Sequence, residues 1–144
     1  MKTLKKLLGE RPARAPLFVA PEDTVFSALE LMAKHDIGAL LVMREGQLAG
    51  IFSERDYARK IILLGKSSKE TAVREIMTEK VLYALPDQTT DQAMALMTEK
   101  HIRHLPVLDS ERRVIGMVSI GDLVKETISE QAFLIKQLEQ YIAG

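Results

Sequence analysis

The 144-residue sequence contains no cysteine, which excludes a disulfide framework, a thiolate metal site and a cysteine nucleophile. It also lacks an excess of either charge, since 20 Lys and Arg balance 20 Asp and Glu. A broad basic face for nucleic acid is therefore not expected, although a local basic pocket for a small anion is compatible with the composition. No apolar run approaches the ~18 residues of a membrane-spanning helix, so no membrane partner is expected. The first residues, Met1-Lys2-Thr3-Leu4-Lys5-Lys6-Leu7-Leu8, carry charge but not the long apolar stretch of a secretory signal, and the expected location is cytoplasmic. What is present is 47% hydrophobic and 28% charged, the balance of a folded chain and not of a disordered one.

Recognisable catalytic machinery is also missing. Gly65-Lys66-Ser67 invites comparison with a phosphate-binding P-loop, but Lys60 stands where that motif needs its first glycine, and a helix precedes it where a strand is required. Ser119, His104 and Asp122 do not make a hydrolase triad, because Val118 and Ile120 flank the serine where a nucleophile elbow carries glycines. Metal-ligating side chains are not clustered. The expectation is a chain that is not an enzyme and needs no metal.

Periodicity and punctuation divide the chain into four stretches. Residues 1–16 are a lead-in with a short helix bearing Leu4, Leu7 and Leu8 on one face, broken by Pro12 and Pro16. Residues 17–64 form a first repeat: strand 17–19, a turn at 21–24 ending in a helix cap, helix 25–35, strand 39–43, a turn at 45–47, strand 48–52, and a helix opened by Ser53. Residues 65–80 are a linker with a short helix over 71–77. Residues 81–144 form a second repeat, with strand 81–84, helix 90–100, strands 105–108 and 114–118, and a long helix over 121–142.

The second repeat is the first one written again. At an offset of 65 residues, Leu17, Pro21, Thr24, Ala28, Met32, Ile37, Leu40 and Val42 meet Leu82, Pro86, Thr89, Ala93, Met97, Ile102, Leu105 and Val107. One extra residue in the second hairpin moves the offset to 66, and Gly50, Ser53 and Asp56 then meet Gly116, Ser119 and Asp122. A unit of about 50 residues is too small to bury a self-sufficient core. The predicted fold is α+β, with two pseudo-symmetric β-α-β-β-α repeats packed sheet to sheet and leaving two equivalent clefts. Each Gly-x-x-Ser-x-x-Asp stretch is a strand-to-helix junction, where unpaired N–H groups favour an anion. Ser53 and Ser119 equally fit helix N-caps, with Asp56 and Asp122 completing a capping box; capping and binding are compatible.

Gly50-Ile51-Phe52-Ser53-Glu54-Arg55-Asp56 and Gly116-Met117-Val118-Ser119-Ile120-Gly121-Asp122, with Val73-Arg74-Glu75-Ile76-Met77-Thr78 entering the second copy and Ile102 to Val107 within it, resemble a tandem pair of cystathionine-β-synthase (CBS) domains, or Bateman module, of the stand-alone bacterial kind. The resemblance implies a non-catalytic regulatory module that binds AMP, ATP or NAD(H) between its repeats and senses energy or redox state. It implies that Asp56 and Asp122 hold ribose hydroxyls, that Ser53 and Ser119 meet phosphate, and that adenine lies near Val19 and Ala84. Arg103 and His104, preceding Pro106, are the expected phosphate counter-charge in the second copy, with Ile120 beside them; Arg55 serves the first. An ionised Asp supplies the bidentate acceptor a diol needs, and a cation must offset its repulsion of phosphate. The terminal helix, with Val124, Ile128, Phe133, Leu134, Leu138 and Ile142 in an apolar stripe, outruns the small core, which predicts a homodimer. The regulatory role that the resemblance implies calls in addition for an effector protein that senses nucleotide occupancy. The alternatives are a dimerising adaptor with empty clefts and a regulatory remnant related to inosine-monophosphate dehydrogenase.

Overall fold

Thr24 and Thr89 begin the two matching helices in the same way. Each hydroxyl accepts the N–H three residues on (Ser27, 3.1 Å; Gln92, 3.2 Å), filling a donor the first turn leaves unpaired. Each helix ends on a residue in the left-handed region, Asp36 at φ 51° and His101 at φ 55°. The computed structural model describes residues 2–11 and 17–143, so the breaks expected at Pro12 and Pro16 lie outside the described residues. The elements are α1 (Leu4–Gly9), β1 (Phe18–Val19), α2 (Val25–His35), β2 (Ala39–Arg44), β3 (Gln47–Ser53), α3 (Glu54–Tyr57), α4 (Thr90–Lys100), β4 (His104–Leu108), β5 (Val114–Ser119) and α5 (Ile120–Ala143). The architecture is α+β.

By its contacts the chain forms two units that do not follow its order: Ala15–Leu82, and Met1–Arg14 joined to Tyr83–Gly144. In the first, β1 pairs parallel to β2, and β2 pairs antiparallel to β3 across a turn whose Glu45 and Gly46 both have positive φ (51° and 77°), the conformation a two-residue hairpin needs. Val19, Val25, Ala28, Met32, Leu40, Val42, Phe52 and Ile61 form its core. In the other unit β4 pairs antiparallel to β5 over Ala84, Ala93, Met97, Leu105, Val107, Val118 and Leu123. Both hairpins are irregular at matching places, after Val42 and after Val107.

Each core is completed by the segment that precedes the other repeat. Leu4 and Leu7 of α1 are buried in the second repeat's core, and Val73 and Ile76 in the first's. The main-chain bonds repeat as well. Leu4 and Lys5 N–H donate to the carbonyls of Gln88 and Pro86, as Val73 and Arg74 donate to those of Asp23 and Pro21; Thr90 donates to Lys2 as Val25 donates to Thr71. The stretch Val73 to Thr78, read from sequence as entering the second copy, is thus packed with the first. Burying a leucine of this kind contributes about 1.5–3 kcal/mol, so the lead-ins are parts of the units and not tethers.

Three sequence expectations are corrected. The helix opened by Ser53 is α-helical for one turn, and residues Ala58–Ile62 then widen to a π-helix, with Leu63 N–H bonding to the Ala58 carbonyl five residues back. The linker helix contracts to a 3-10 turn over Val73–Glu75. The strand expected over 81–84 is a single parallel bridge, Ala84 to Val107. Its bonds are Ala84 N–H to the Pro106 carbonyl and Leu108 N–H to the Ala84 carbonyl. The next rung of a parallel ladder would need an N–H from residue 106, and proline has none. The first repeat has Leu41 there, and β1 extends to pair Phe18 with it.

Candidate functional site

Both junctions form the capping box their spacing predicts. In the first unit Ser53 N–H donates to Asp56 Oδ2 (3.0 Å), and Asp56 N–H donates to Ser53 Oγ (3.2 Å). In the second, Ser119 N–H donates to Asp122 Oδ2 (2.9 Å), and Asp122 N–H donates to Ser119 Oγ (3.1 Å). The residue just before each β-strand of the hairpin closes the first turn further: the carbonyls of Gly38 and Arg103 accept the N–H of Glu54 and Ile120. The helix starts are therefore less open to an anion than the sequence implies, because internal acceptors already take two of their N–H groups.

The two carboxylates are held differently. Asp56 is enclosed, its side chain 13% exposed. Ser53 Oγ–H donates to its Oδ2 (3.1 Å), while Lys60 Nζ (3.2 Å) and Thr78 Oγ (3.4 Å) meet its Oδ1. Lys60 also donates to the Ile76 carbonyl (2.9 Å). Asp122 is more open, 38% exposed, and both the Ser119 N–H (2.9 Å) and Arg11 Nη2 (3.0 Å) meet its Oδ2. Arg11 Nη1 also donates to the Met117 carbonyl (3.3 Å). Partial burial pushes the Asp122 carboxyl up, but the Ser119 N–H and hydroxyl and the Arg11 charge outweigh this and hold it below the ordinary carboxylate range. It is ionised at neutral pH and presents a charged acceptor edge.

The remaining predicted residues fall into three groups. His104 pairs across the hairpin with Ser119, Ile120 opens α5 between Ser119 and Asp122, and Pro106 is buried further along the hairpin, opposite Met117. Arg103 lies one residue before β4; its side chain is exposed and its carbonyl is spent on Ile120. Arg55 is exposed on the first turn of α3. Val19 and Ala84 are core residues, 6% and 1% exposed, and both main-chain groups of Ala84 are used by the Pro106–Leu108 edge. That placement leaves little of Ala84 to read a base. Sequence reasoning missed Arg11, Lys60 and Thr78. Only Lys60, four residues after Asp56 on one helical face, left a local signal.

A match to the CBS domain extends over residues 8–63 and 73–129, most of the chain. The chain belongs to the CBS domain family. Its two matched segments make it a CBS pair. A CBS-domain protein from Burkholderia ambifaria MC40-6 has a solved structure that is 52% identical, with a TM-score of 0.86, covering 90% of this chain and 96% of that one. The mitochondrial CBS domain-containing protein CBSX3 of Arabidopsis thaliana is 45% identical over 133 residues; the match covers 89% of this chain but 64% of that relative's length. Two further CBS structures carry ligands. The CBS pair of protein MJ0100, in complex with 5′-methylthioadenosine and S-adenosyl-L-methionine, is 28% identical with a TM-score of 0.76, covering 90% of this chain and 98% of that one. CBSX2 in complex with AMP is 25% identical with a TM-score of 0.72, again covering 90% and 98%. Among the described residues no three His, Asp or Glu side chains group as a metal site requires, and no helix is long and apolar enough to cross a membrane.

Proposed function

We propose that this CBS pair is a non-catalytic regulatory module that binds an adenine nucleotide through the Gly116–Asp122 junction. The observation that carries the reading is the carboxylate of Asp122, held on Oδ2 by the Ser119 N–H and Arg11 and still 38% exposed, at the end of a strand where His104 pairs with Ser119. A ribose diol needs such an oriented, ionised acceptor. AMP bound to CBSX2, and methylthioadenosine and S-adenosylmethionine bound to the MJ0100 pair, share an adenosine group and so support the class of ligand. Asp56 is the weaker of the two ribose acceptors, because Lys60 and Thr78 already engage its second oxygen.

AMP is the favoured ligand, ahead of ATP and NAD(H). Its occupancy acts by shifting a conformational equilibrium that an effector protein senses. The module works as a homodimer built on the far half of α5, and the protein acts in the cytoplasm. Titration calorimetry with AMP, ATP, NAD and NADH tests the reading. Binding of at least one is expected, and Asp122→Ala is expected to weaken it by about tenfold or more, the scale of losing a charge-assisted hydrogen bond. Silence with all four at millimolar concentration sinks the proposal.

A further inference from the structure

Arg11 does in one unit what Thr78 does in the other, but with a charge. In the first unit Thr78 N–H donates to the Ile51 carbonyl (2.9 Å), and its hydroxyl lies against Asp56. In the second, the matching carbonyl, that of Met117, accepts from Arg11 Nη1, and the matching carboxylate, that of Asp122, pairs with Arg11 Nη2. A neutral threonine and a guanidinium thus occupy equivalent posts beside the two candidate ribose acceptors.

We infer that Arg11 makes the Gly116–Asp122 junction selective for an anionic, phosphate-bearing adenosine ligand over an uncharged or cationic one; this rests on the nucleotide reading above. A phosphate brought near Asp122 is repelled by its carboxylate unless a cation stands between them. Arg11 stands on that carboxylate at 3.0 Å. Its guanidinium has five N–H donors in a rigid fork, and the two bonds described leave others to meet a phosphate oxygen. Its position is fixed from behind. Leu4 and Leu7 anchor α1 in the core, Leu8 lies over Gly116, and Arg11 N–H bonds to the Leu8 carbonyl (3.3 Å). Ligands of CBS relatives divide on this feature, since AMP carries a phosphate whereas methylthioadenosine has none and S-adenosylmethionine carries a sulfonium. At the Asp56 junction the cation on the carboxylate is Lys60, whose single ammonium is shared between Asp56 and the Ile76 carbonyl and lacks the fork of a guanidinium.

The test is calorimetric titration of the full chain with AMP and with adenosine, for the natural protein, Arg11→Ala and Arg11→Lys. The natural protein is expected to bind AMP more tightly than adenosine. Arg11→Ala is expected to weaken AMP by about tenfold or more beyond what it costs adenosine, which loses only the hold of Arg11 on Asp122, and Arg11→Lys to recover part of the difference. Equal weakening of both ligands in Arg11→Ala means that Arg11 only holds Asp122 and α1 in place, and overturns the inference, as does no change in either. If the natural protein binds neither ligand, the nucleotide reading itself has failed. If Arg11→Ala does not fold, the AMP-to-adenosine ratio in Arg11→Lys decides, because lysine keeps the charge and loses the fork; a ratio equal to the natural one overturns the role of the guanidinium.

Discussion

Val25 and Thr90 hold the same place in the two repeats, each the first residue of its helix and each almost fully buried. Their shapes are nearly equal, but Thr90 brings a hydroxyl, and its Oγ has no hydrogen-bond partner among the described residues. A buried hydroxyl without a partner forfeits its hydration, so the duplication itself supplies the remedy. Thr90→Val is expected to stabilise the protein by about 1 kcal/mol in urea unfolding; a destabilisation of that size would mean the hydroxyl is satisfied in solution. The two junction carboxylates show the same principle of divergence within one frame. Asp56 and Asp122 were both legible from the Gly-x-x-Ser-x-x-Asp spacing, because a capping box is a local device. Arg11 was not, because its contact with Asp122 closes a loop of more than a hundred residues and leaves no periodic trace.

The two lead-in segments explain why Gly50 and Gly116 recur. A Cβ at Gly50 would lie 2.8 Å from Met77 Sδ and 2.9 Å from the Thr78 carbonyl oxygen; one at Gly116 would lie 2.8 and 2.9 Å from the Leu8 methyl carbons. The first clash involves backbone that pairs with Ile51 and cannot move alone, whereas the second is with the end of a flexible side chain. Gly50→Ala is therefore expected to cost about 1–3 kcal/mol in thermal or urea unfolding, and Gly116→Ala under about 1. Equal costs would show that Leu8 is held as firmly as the Thr78 backbone. At this scale most elements were readable, because α2, α4 and the hairpins follow their apolar spacing closely. The misreading of the strand over 81–84 came where one residue decided the outcome, for Pro106 removed the donor it required; the packing of each lead-in left no trace in chain order, because its partner is distant.

Across the whole molecule, α5 is the part that its own unit does not use up. From Gln131 to Ile142 every residue is exposed, about 18 Å of helix, although Phe133, Leu134, Ile135, Leu138, Tyr141 and Ile142 are apolar or aromatic. A segment of this length is marginal in water without a partner. Ile128, Gln131, Ile135, Leu138 and Ile142 recur at alternating steps of three and four, the seam of a helix pair with one polar position to fix its register. Light scattering is expected to find dimers for the full chain and monomers for a chain ending at Glu130; a full chain that stays monomeric at high micromolar concentration removes the proposed homodimer. The crossed lead-ins carry a consequence of a different kind, in time and not in space. As the chain is made, the Ala15–Leu82 unit has all its parts once Leu82 leaves the ribosome and is free to close first. Residues 2–11, made earlier, must wait with Leu4 and Leu7 uncovered until β5 and the start of α5 arrive. A stretch made before the Ala15–Leu82 unit thus finds its place after it, and the Asp122–Arg11 pair waits on more than a hundred further residues of synthesis.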